Sequence, residues 1–160
     1  MTVSVGDKIP SVKLKTMTAE GMSEIDTGDY FAGKKVVLFA VPGAFTPTCS
    51  ARHLPGFVNK ADALKGKGVD EIACISVNDA FVMDAWGKDQ NAGGKVTMLA
   101  DGNRDFTRAM GLERDESSFG LGTRSRRYAL VAENGTITVL NVEQPGAFDV
   151  SSAEAVISAL

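Results

Sequence analysis

Apolar residues along this chain alternate between two spacings. Val36-Val37-Leu38-Phe39-Ala40-Val41 is short, β-branched and aromatic, and it is closed by Pro42-Gly43, which predicts a buried strand. From Ser50 onward, apolar side chains recur at Leu54, Phe57, Val58, Ala61 and Leu64, the spacing of one helical face. Pro47 suits the first helical position, where its missing N–H has no partner to lose, and Thr46 before it suits a cap. A second apolar run, Val69 to Val77, predicts another buried strand. Asn78-Asp79 then caps a helix that carries Phe81, Val82, Ala85 and Trp86. Val96 to Ala100 is a third short strand, and Asp101-Gly102-Asn103 leads into a helix with Phe106, Ala109 and Met110 that ends at Gly111. Asn134-Gly135 separates strand-like runs over 126–132 and 136–142, a strong signal for a tight hairpin. Ser151-Ser152-Ala153-Glu154 has capping-box form and opens a helix through Val156, Ile157 and Leu160. Near the start, Val12 to Lys15 alternates like a strand, and Gly21 to Gly28 reads as hairpin and loop. Strand–helix alternation finished by an antiparallel pair predicts an α/β fold with a mixed, mostly parallel central sheet flanked by helices.

Composition narrows the function classes. At 160 residues with 44% hydrophobic content, the chain suits one domain over residues 1–160 and is short for two. A net charge of −3 supplies no general basic surface, which argues against nucleic acid or an anionic membrane as partner. The longest apolar stretch is broken by Pro42 and Gly43, and the N-terminus lacks a charged region followed by an apolar one, so a soluble cytoplasmic protein is expected. Two cysteines and one histidine are neither a disulfide framework nor a Cys/His zinc site, and no metal or other cofactor is expected.

Candidate chemistry centres on Cys49. It falls in the first turn of the helix that follows a buried strand, where unpaired N–H groups and the positive end of the macrodipole favour an anion, here a thiolate. A reactive cysteine at the end of a central strand of such a sheet is the pattern of the thioredoxin-like fold. That fold usually carries C-x-x-C at this junction. In Thr46-x-x-Cys49 the first cysteine is a threonine, which cannot close that disulfide and leaves a thiolate beside a hydroxyl. Arg124, Arg126 and Arg127 read either as a source of functional positive charge or as only a solvated basic turn or phosphate patch. His53, four residues after Cys49, could approach the thiol as a base, although no third member orients it, and a packing or hydrogen-bonding role fits better. Cys74 stands mid-strand, where a cysteine usually behaves as a small hydrophobe. Gly120-Leu121-Gly122 lacks the third glycine and the preceding strand of a dinucleotide site and reads as a loop.

Pro42-Gly43-Ala44-Phe45-Thr46-Pro47-Thr48-Cys49-Ser50 resembles the P-x-x-x-T-x-x-C signature of the peroxiredoxins, in particular the type II subfamily. His53 to Phe57, Cys74 to Val82, Arg124 to Tyr128 and Leu140 to Glu143 are similar to further landmarks of that subfamily, in order and at similar spacing. The resemblance implies a thiol peroxidase acting on hydrogen peroxide and organic hydroperoxides. It implies Cys49 as the nucleophile that becomes a sulfenic acid, Thr46 and the N–H groups near Thr48 and Cys49 as contacts to the peroxide, Pro42 as a shield from water, and Arg127 as the fixed charge. Some members place a resolving cysteine where Ser151 stands here, whereas plant-like members carry one matching Cys74. The expectation is one-cysteine turnover, with glutathione and glutaredoxin, or thioredoxin, as electron donor, and two-cysteine turnover through Cys74 as the alternative. A Cys49/His53 hydrolase and a non-catalytic redox-regulated module are the competing classes. A homodimer is implied as well, with Phe45 and Phe81 as candidates for either the interface or the core.

Overall fold

The computed structural model describes residues 1–160. It begins with an antiparallel hairpin of β1 (Lys13–Thr18) and β2 (Gly21–Asp26), followed by a short helix α1 (Thr27–Phe31) and the strand β3 (Lys35–Ala40). A π-helical turn, Cys49–His53, continues into α2 (Leu54–Asn59) and α3 (Ala61–Gly66). Then come β4 (Glu71–Ser76), α4 (Ala80–Asp89), β5 (Thr97–Ala100) and α5 (Asp105–Met110). A small pair, β6 (Glu113–Asp115) with β7 (Thr123–Ser125), precedes the hairpin β8 (Tyr128–Glu133) and β9 (Thr136–Val142) and the terminal helix α6 (Ala153–Ala159).

Seven strands form one sheet in the order β2-β1-β5-β4-β3-β8-β9. The arrangement is the expected thioredoxin-like α/β fold with a mixed sheet, with one correction to "mostly parallel". β2, β5, β4, β3 and β9 run one way, yet only the central neighbours β3/β4 and β4/β5 are parallel pairs; every outer pairing is antiparallel. The near-continuous apolar character of β3 follows from burial on both faces. Val37, Phe39 and Val41 pack with Leu54, Phe57, Leu64 and Trp86, whereas Val36, Leu38 and Ala40 pack with Phe31, Phe106 and Met110. Helices α2, α3, α4 and α6 thus cover one face, and α1 and α5 the other. Phe57 stacks on Phe39 with centroids 4.1 Å apart, and each such fully buried ring contributes roughly 2–3 kcal/mol.

Local chemistry explains most boundaries. Asn134 and Gly135 both have positive φ, 50° and 79°, as a type I′ hairpin turn requires. Asp79 caps α4 by accepting from the Val82 N–H at 2.8 Å. The cap of α6 lies one residue later than the capping-box reading: Ser152 accepts from the Ala155 N–H at 3.1 Å, because the Ser151 hydroxyl is taken by Glu143. The hairpin expected at 21–28 is present as β1 paired with β2, while its last residues, 27 and 28, open α1 instead of a loop; the Asp26 carboxylate caps α1 by accepting from the Asp29 N–H. The β6/β7 pair has too little apolar patterning to be read from sequence. No helix is long and apolar enough to cross a membrane.

Candidate active site

The helix carrying Cys49 is not the uniform α-helix that its apolar spacing predicts. Pro47 and Thr48 are helical, and the Ser50 N–H reaches the Thr46 carbonyl at 2.9 Å, so Thr46 is the backbone cap and Pro47 the first helical residue, as expected. Over Cys49–His53 the turn then widens, and the Leu54 N–H bonds the Cys49 carbonyl five residues back. Pro55, which has no N–H to give to Ala51, follows directly. The wider turn absorbs the bond that Pro55 cannot make.

The loop before the helix is pinned from several sides. Asn78 Oδ1 accepts from the Ala44 N–H at 3.0 Å and from the Ser76 hydroxyl at 2.6 Å. The Thr46 hydroxyl donates to the Gly43 carbonyl at 2.6 Å. Its hydrogen is therefore committed, and its oxygen is left as an acceptor. A Cβ at Gly43 would stand 3.1 Å from Thr46 Cγ2 and 3.5 Å from Arg124 Nη1, so any side chain there would press on Thr46. Phe45 sits at φ 62° and is 52% exposed, a left-handed position that a bulky residue holds only when its surroundings fix it. Phe81 is 62% exposed, so the core reading fails for both phenylalanines. Trp86 donates from its indole to Ser50 Oγ at 3.0 Å, which ties α4 to the residue after Cys49.

Arg127 arrives from the segment entering β8 and reaches the cysteine directly: its Nη2 lies 3.1 Å from Cys49 Sγ. Its Nη1 lies 2.8 Å from His53 Nδ1. A guanidinium can only donate, so Nδ1 accepts; His53 Nε2 must then carry the hydrogen, which it donates to the Ser151 carbonyl at 2.9 Å. Burial, and next the Arg127 charge, push the imidazole pKa down to about 3, so His53 is neutral at physiological pH. Its ring lies among Phe39, Phe57 and Phe148 at centroid distances of 4.9, 5.7 and 5.0 Å.

The chain of contacts continues beyond His53. Glu143 Oε2 accepts from the Ser151 N–H and hydroxyl at 2.8 and 2.7 Å and from the Asp149 N–H at 2.6 Å. Burial works to raise the Glu143 pKa, but the bonds from Ser151 and the loop N–H groups prevail and hold it below the usual carboxylate range. Glu143, Ser151, His53, Arg127 and Cys49 thus form one connected series. Sequence reasoning placed Glu143 only within a landmark and assigned it no role; a glutamate at the end of a strand carries no signal of its own.

The other singled-out residues are placed as follows. Pro42 and Thr48 share a pocket wall with Arg127. Arg124 is neither a solvated turn nor a phosphate ligand: its Nη1 and Nε donate to the carbonyls of Val77 and Leu121, each at 2.9 Å. Cys49 and Cys74 are both free thiols without exposed surface. Cys74 lies mid-strand in β4, paired in register with Phe39, and burial, followed by the neighbouring Cys49, pushes its thiol pKa up. Gly120 and Gly122 lie outside any strand or helix, both at positive φ. No group of three His, Cys, Asp or Glu side chains is arranged to hold a metal ion.

Comparison with known proteins places this geometry. The Redoxin family model matches residues 4–157. Peroxiredoxin-2E, chloroplastic, from Arabidopsis thaliana is 52% identical over 163 residues, covering 99% of this chain and 70% of that protein. Peroxiredoxin-2C from Oryza sativa subsp. japonica is 52% identical over 159 residues, covering 99% and 98%. The solved structure of reduced Prx3 from Vibrio vulnificus in complex with H2O2 superposes with a TM-score of 0.95 at 56% identity, covering 99% of each chain.

Proposed function

Because this chain belongs to the Redoxin family and, within it, to the peroxiredoxins, the thiol peroxidases, we propose that Cys49 is the sulfur that peroxide oxidises and that Arg127, Thr46 and Pro42 complete its site. The observation that carries this reading is the Arg127 guanidinium, held at 3.1 Å from Cys49 Sγ by one nitrogen and anchored on His53 by the other. The attacking thiolate sulfur bonds one peroxide oxygen along the O–O axis, the O–O bond breaks, and the departing oxygen takes a proton and leaves as water or an alcohol. Arg127 donates towards the negative charge that develops there. Thr46, its own hydrogen given to Gly43, accepts from the hydroxyl of the bound peroxide, which fixes the direction of attack. Pro42, without an N–H, walls the site without competing for the oxygens. A buried Cys49 favours small hydroperoxides, hydrogen peroxide first.

The product, Cys49 sulfenic acid, needs a thiol for its return. One-cysteine turnover with glutathione and glutaredoxin, or thioredoxin, is the better fit. Cys74 is buried mid-strand, Ser151 offers no thiol, and closing a disulfide, which needs Cα atoms within about 7 Å, would require local unfolding of the helix start. Two-cysteine turnover through Cys74 is the second reading, favoured by one observation: Cys74 belongs to the same core cluster as Cys49. The hydrolase reading lacks a base, since both His53 nitrogens are engaged elsewhere. The chain is proposed to act as a homodimer, with the exposed Phe45 and Phe81 at the interface, in a reducing compartment such as the cytoplasm. Relatives named chloroplastic mean that the compartment does not follow from the family. Stopped-flow oxidation of the reduced protein by hydrogen peroxide tests the central claim: a rate far above that of free cysteine is expected, and a rate no faster than free cysteine would overturn it. Mass analysis after turnover separates a mixed disulfide on Cys49 from a Cys49–Cys74 bond.

A further inference from the structure

A pocket of about 90 Å³ opens beside the site, and Cys49 is not part of its wall. Pro42, Thr48 and Arg127 form its side towards the site; Arg114, Arg126 and the Glu143–Ala147 loop form the rest. Three guanidiniums therefore converge on a small polar space. Arg114 has a carboxylate partner, Glu116, at 2.8 Å. Arg126 has none: its one bond is from Nη2 to the Glu143 carbonyl oxygen at 3.3 Å. The Glu143 carboxylate, which could have neutralised it, is buried and committed to Ser151 and Asp149.

With Arg114 paired to Glu116 and the Glu143 carboxylate committed to Ser151 and Asp149, the Arg126 guanidinium faces the pocket without a carboxylate partner. The pocket is therefore an anion seat beside the cysteine that a reductant must reach. Its polar wall gives no room to an acyl chain, and its volume suits a carboxylate group rather than a whole peptide, since sites for whole drug-sized ligands are about 300 Å³ or more.

We propose that this pocket seats a carboxylate of the thiol that resolves the Cys49 sulfenic acid, with Arg126 as its principal donor and Arg114 as the second, so that an anionic peptide thiol of the glutathione class is selected over neutral thiols. The proposal rests on the reading that an external thiol regenerates Cys49. In the step it serves, the incoming thiolate sulfur bonds Cys49 Sγ, the S–O bond of the sulfenic acid breaks, and the hydroxide takes a proton and leaves as water. A second thiol then attacks the mixed disulfide and releases Cys49 as thiolate and the pair of reductant molecules as their disulfide.

The test oxidises the protein with one equivalent of hydrogen peroxide, adds glutathione or 2-mercaptoethanol, and follows the mixed disulfide on Cys49 by quenched-flow mass analysis. The readout is the ratio of the two rates within each protein. Arg126→Gln should lower the ratio about tenfold, the scale of one charge-assisted hydrogen bond at a half-exposed site, with Arg126→Lys restoring part of it. Arg114→Gln should lower it less. In the unsubstituted protein, salt should slow the glutathione reaction and leave the neutral thiol unaffected. An unchanged ratio in both Gln variants would overturn the seat. A selective loss found instead in oxidation by a carboxylate-bearing hydroperoxide, relative to hydrogen peroxide, would overturn its assignment to the thiol. Failure of the unsubstituted protein to react with any thiol, with a Cys49–Cys74 bond in its place, would remove the one-cysteine reading itself.

Discussion

Replacing His53 separates a residue that positions Arg127 from one that moves a proton. His53→Ala deletes an acceptor 2.8 Å from Arg127 Nη1 and a donor 2.9 Å from the Ser151 carbonyl, and it empties a space between Phe39, Phe57 and Phe148. Losing one hydrogen bond to a charged group and one neutral bond costs about 2–4 kcal/mol, and the cavity adds more; a stability loss of about 3–5 kcal/mol in urea unfolding is expected. The effect on chemistry should be smaller. Arg127 keeps its Nη2 contact to Cys49 but loses its anchor, and displacement of a catalytic group by about 1 Å costs on the order of 100-fold. His53→Gln, whose amide offers an acceptor and a donor about as far apart as the two ring nitrogens, should recover most of that rate. Trp86 is the only tryptophan and is bonded to Ser50, so its fluorescence in a stopped-flow experiment with hydrogen peroxide reports oxidation next door. The reasoning is refuted in either of two ways. If His53→Ala oxidises at the unsubstituted rate, Arg127 needs no support. If both variants lose about 10⁴-fold or more, His53 itself transfers a proton.

Arg127→Lys should slow oxidation by hydrogen peroxide about 100-fold in the same assay, because one ammonium cannot span Cys49 Sγ and His53 Nδ1 as the guanidinium fork does; a Lys variant with the unsubstituted rate would show that charge alone suffices. Glu143→Gln keeps the shape but replaces charge-assisted bonds from Ser151 and Asp149 with neutral ones of about half the strength, so unfolding in urea should show a loss of about 2–3 kcal/mol. Cys74→Ser should leave turnover with glutathione and glutaredoxin within twofold, while the buried hydroxyl lowers stability by about 1–3 kcal/mol; abolished turnover after an intact first oxidation would make Cys74 the resolving residue. Native His53 stays neutral down to about pH 3, whereas in the unfolded chain it takes a proton near pH 6.5. Between these values the unfolded state binds more protons, so stability falls as pH drops through this window, by at most about 5 kcal/mol, and His53→Gln should flatten that part of the profile.

Most of the fold was legible because its signals are local. The β3 and β4 runs, the Asp79 cap and the Asn134-Gly135 turn each depend on a few adjacent residues, and each is found where its pattern points. What escaped depends on distant partners. Capping by Ser152 rather than Ser151 is decided by Glu143, which outcompetes the helix for the Ser151 hydroxyl. The widened turn at Cys49 keeps an ordinary apolar spacing, so periodicity cannot reveal it. Pro55 was the visible sign, a proline two turns inside the helix that Pro47 opens, which requires that some backbone bond be rearranged.

The site divides along the same line. Thr46 and Cys49 lie three residues apart, so a hydroxyl beside a thiolate could be read from their spacing, whereas Pro42 entered only through the family resemblance. Arg127 could not be separated from Arg124 and Arg126 by composition, because the three differ only in what they face: carbonyls for Arg124, an open pocket for Arg126, and Cys49 with His53 for Arg127. Arg126 and Arg127 both reach the wall of that pocket, but only Arg127 extends to Cys49 and His53. The Glu143 carbonyl and N–H, bonded to Arg126 Nη2 and the Arg127 carbonyl respectively, tie both residues to the start of one loop. With Arg127 proposed to serve the peroxide and Arg126 the reductant, both steps depend on the same short stretch of backbone that Glu143 holds.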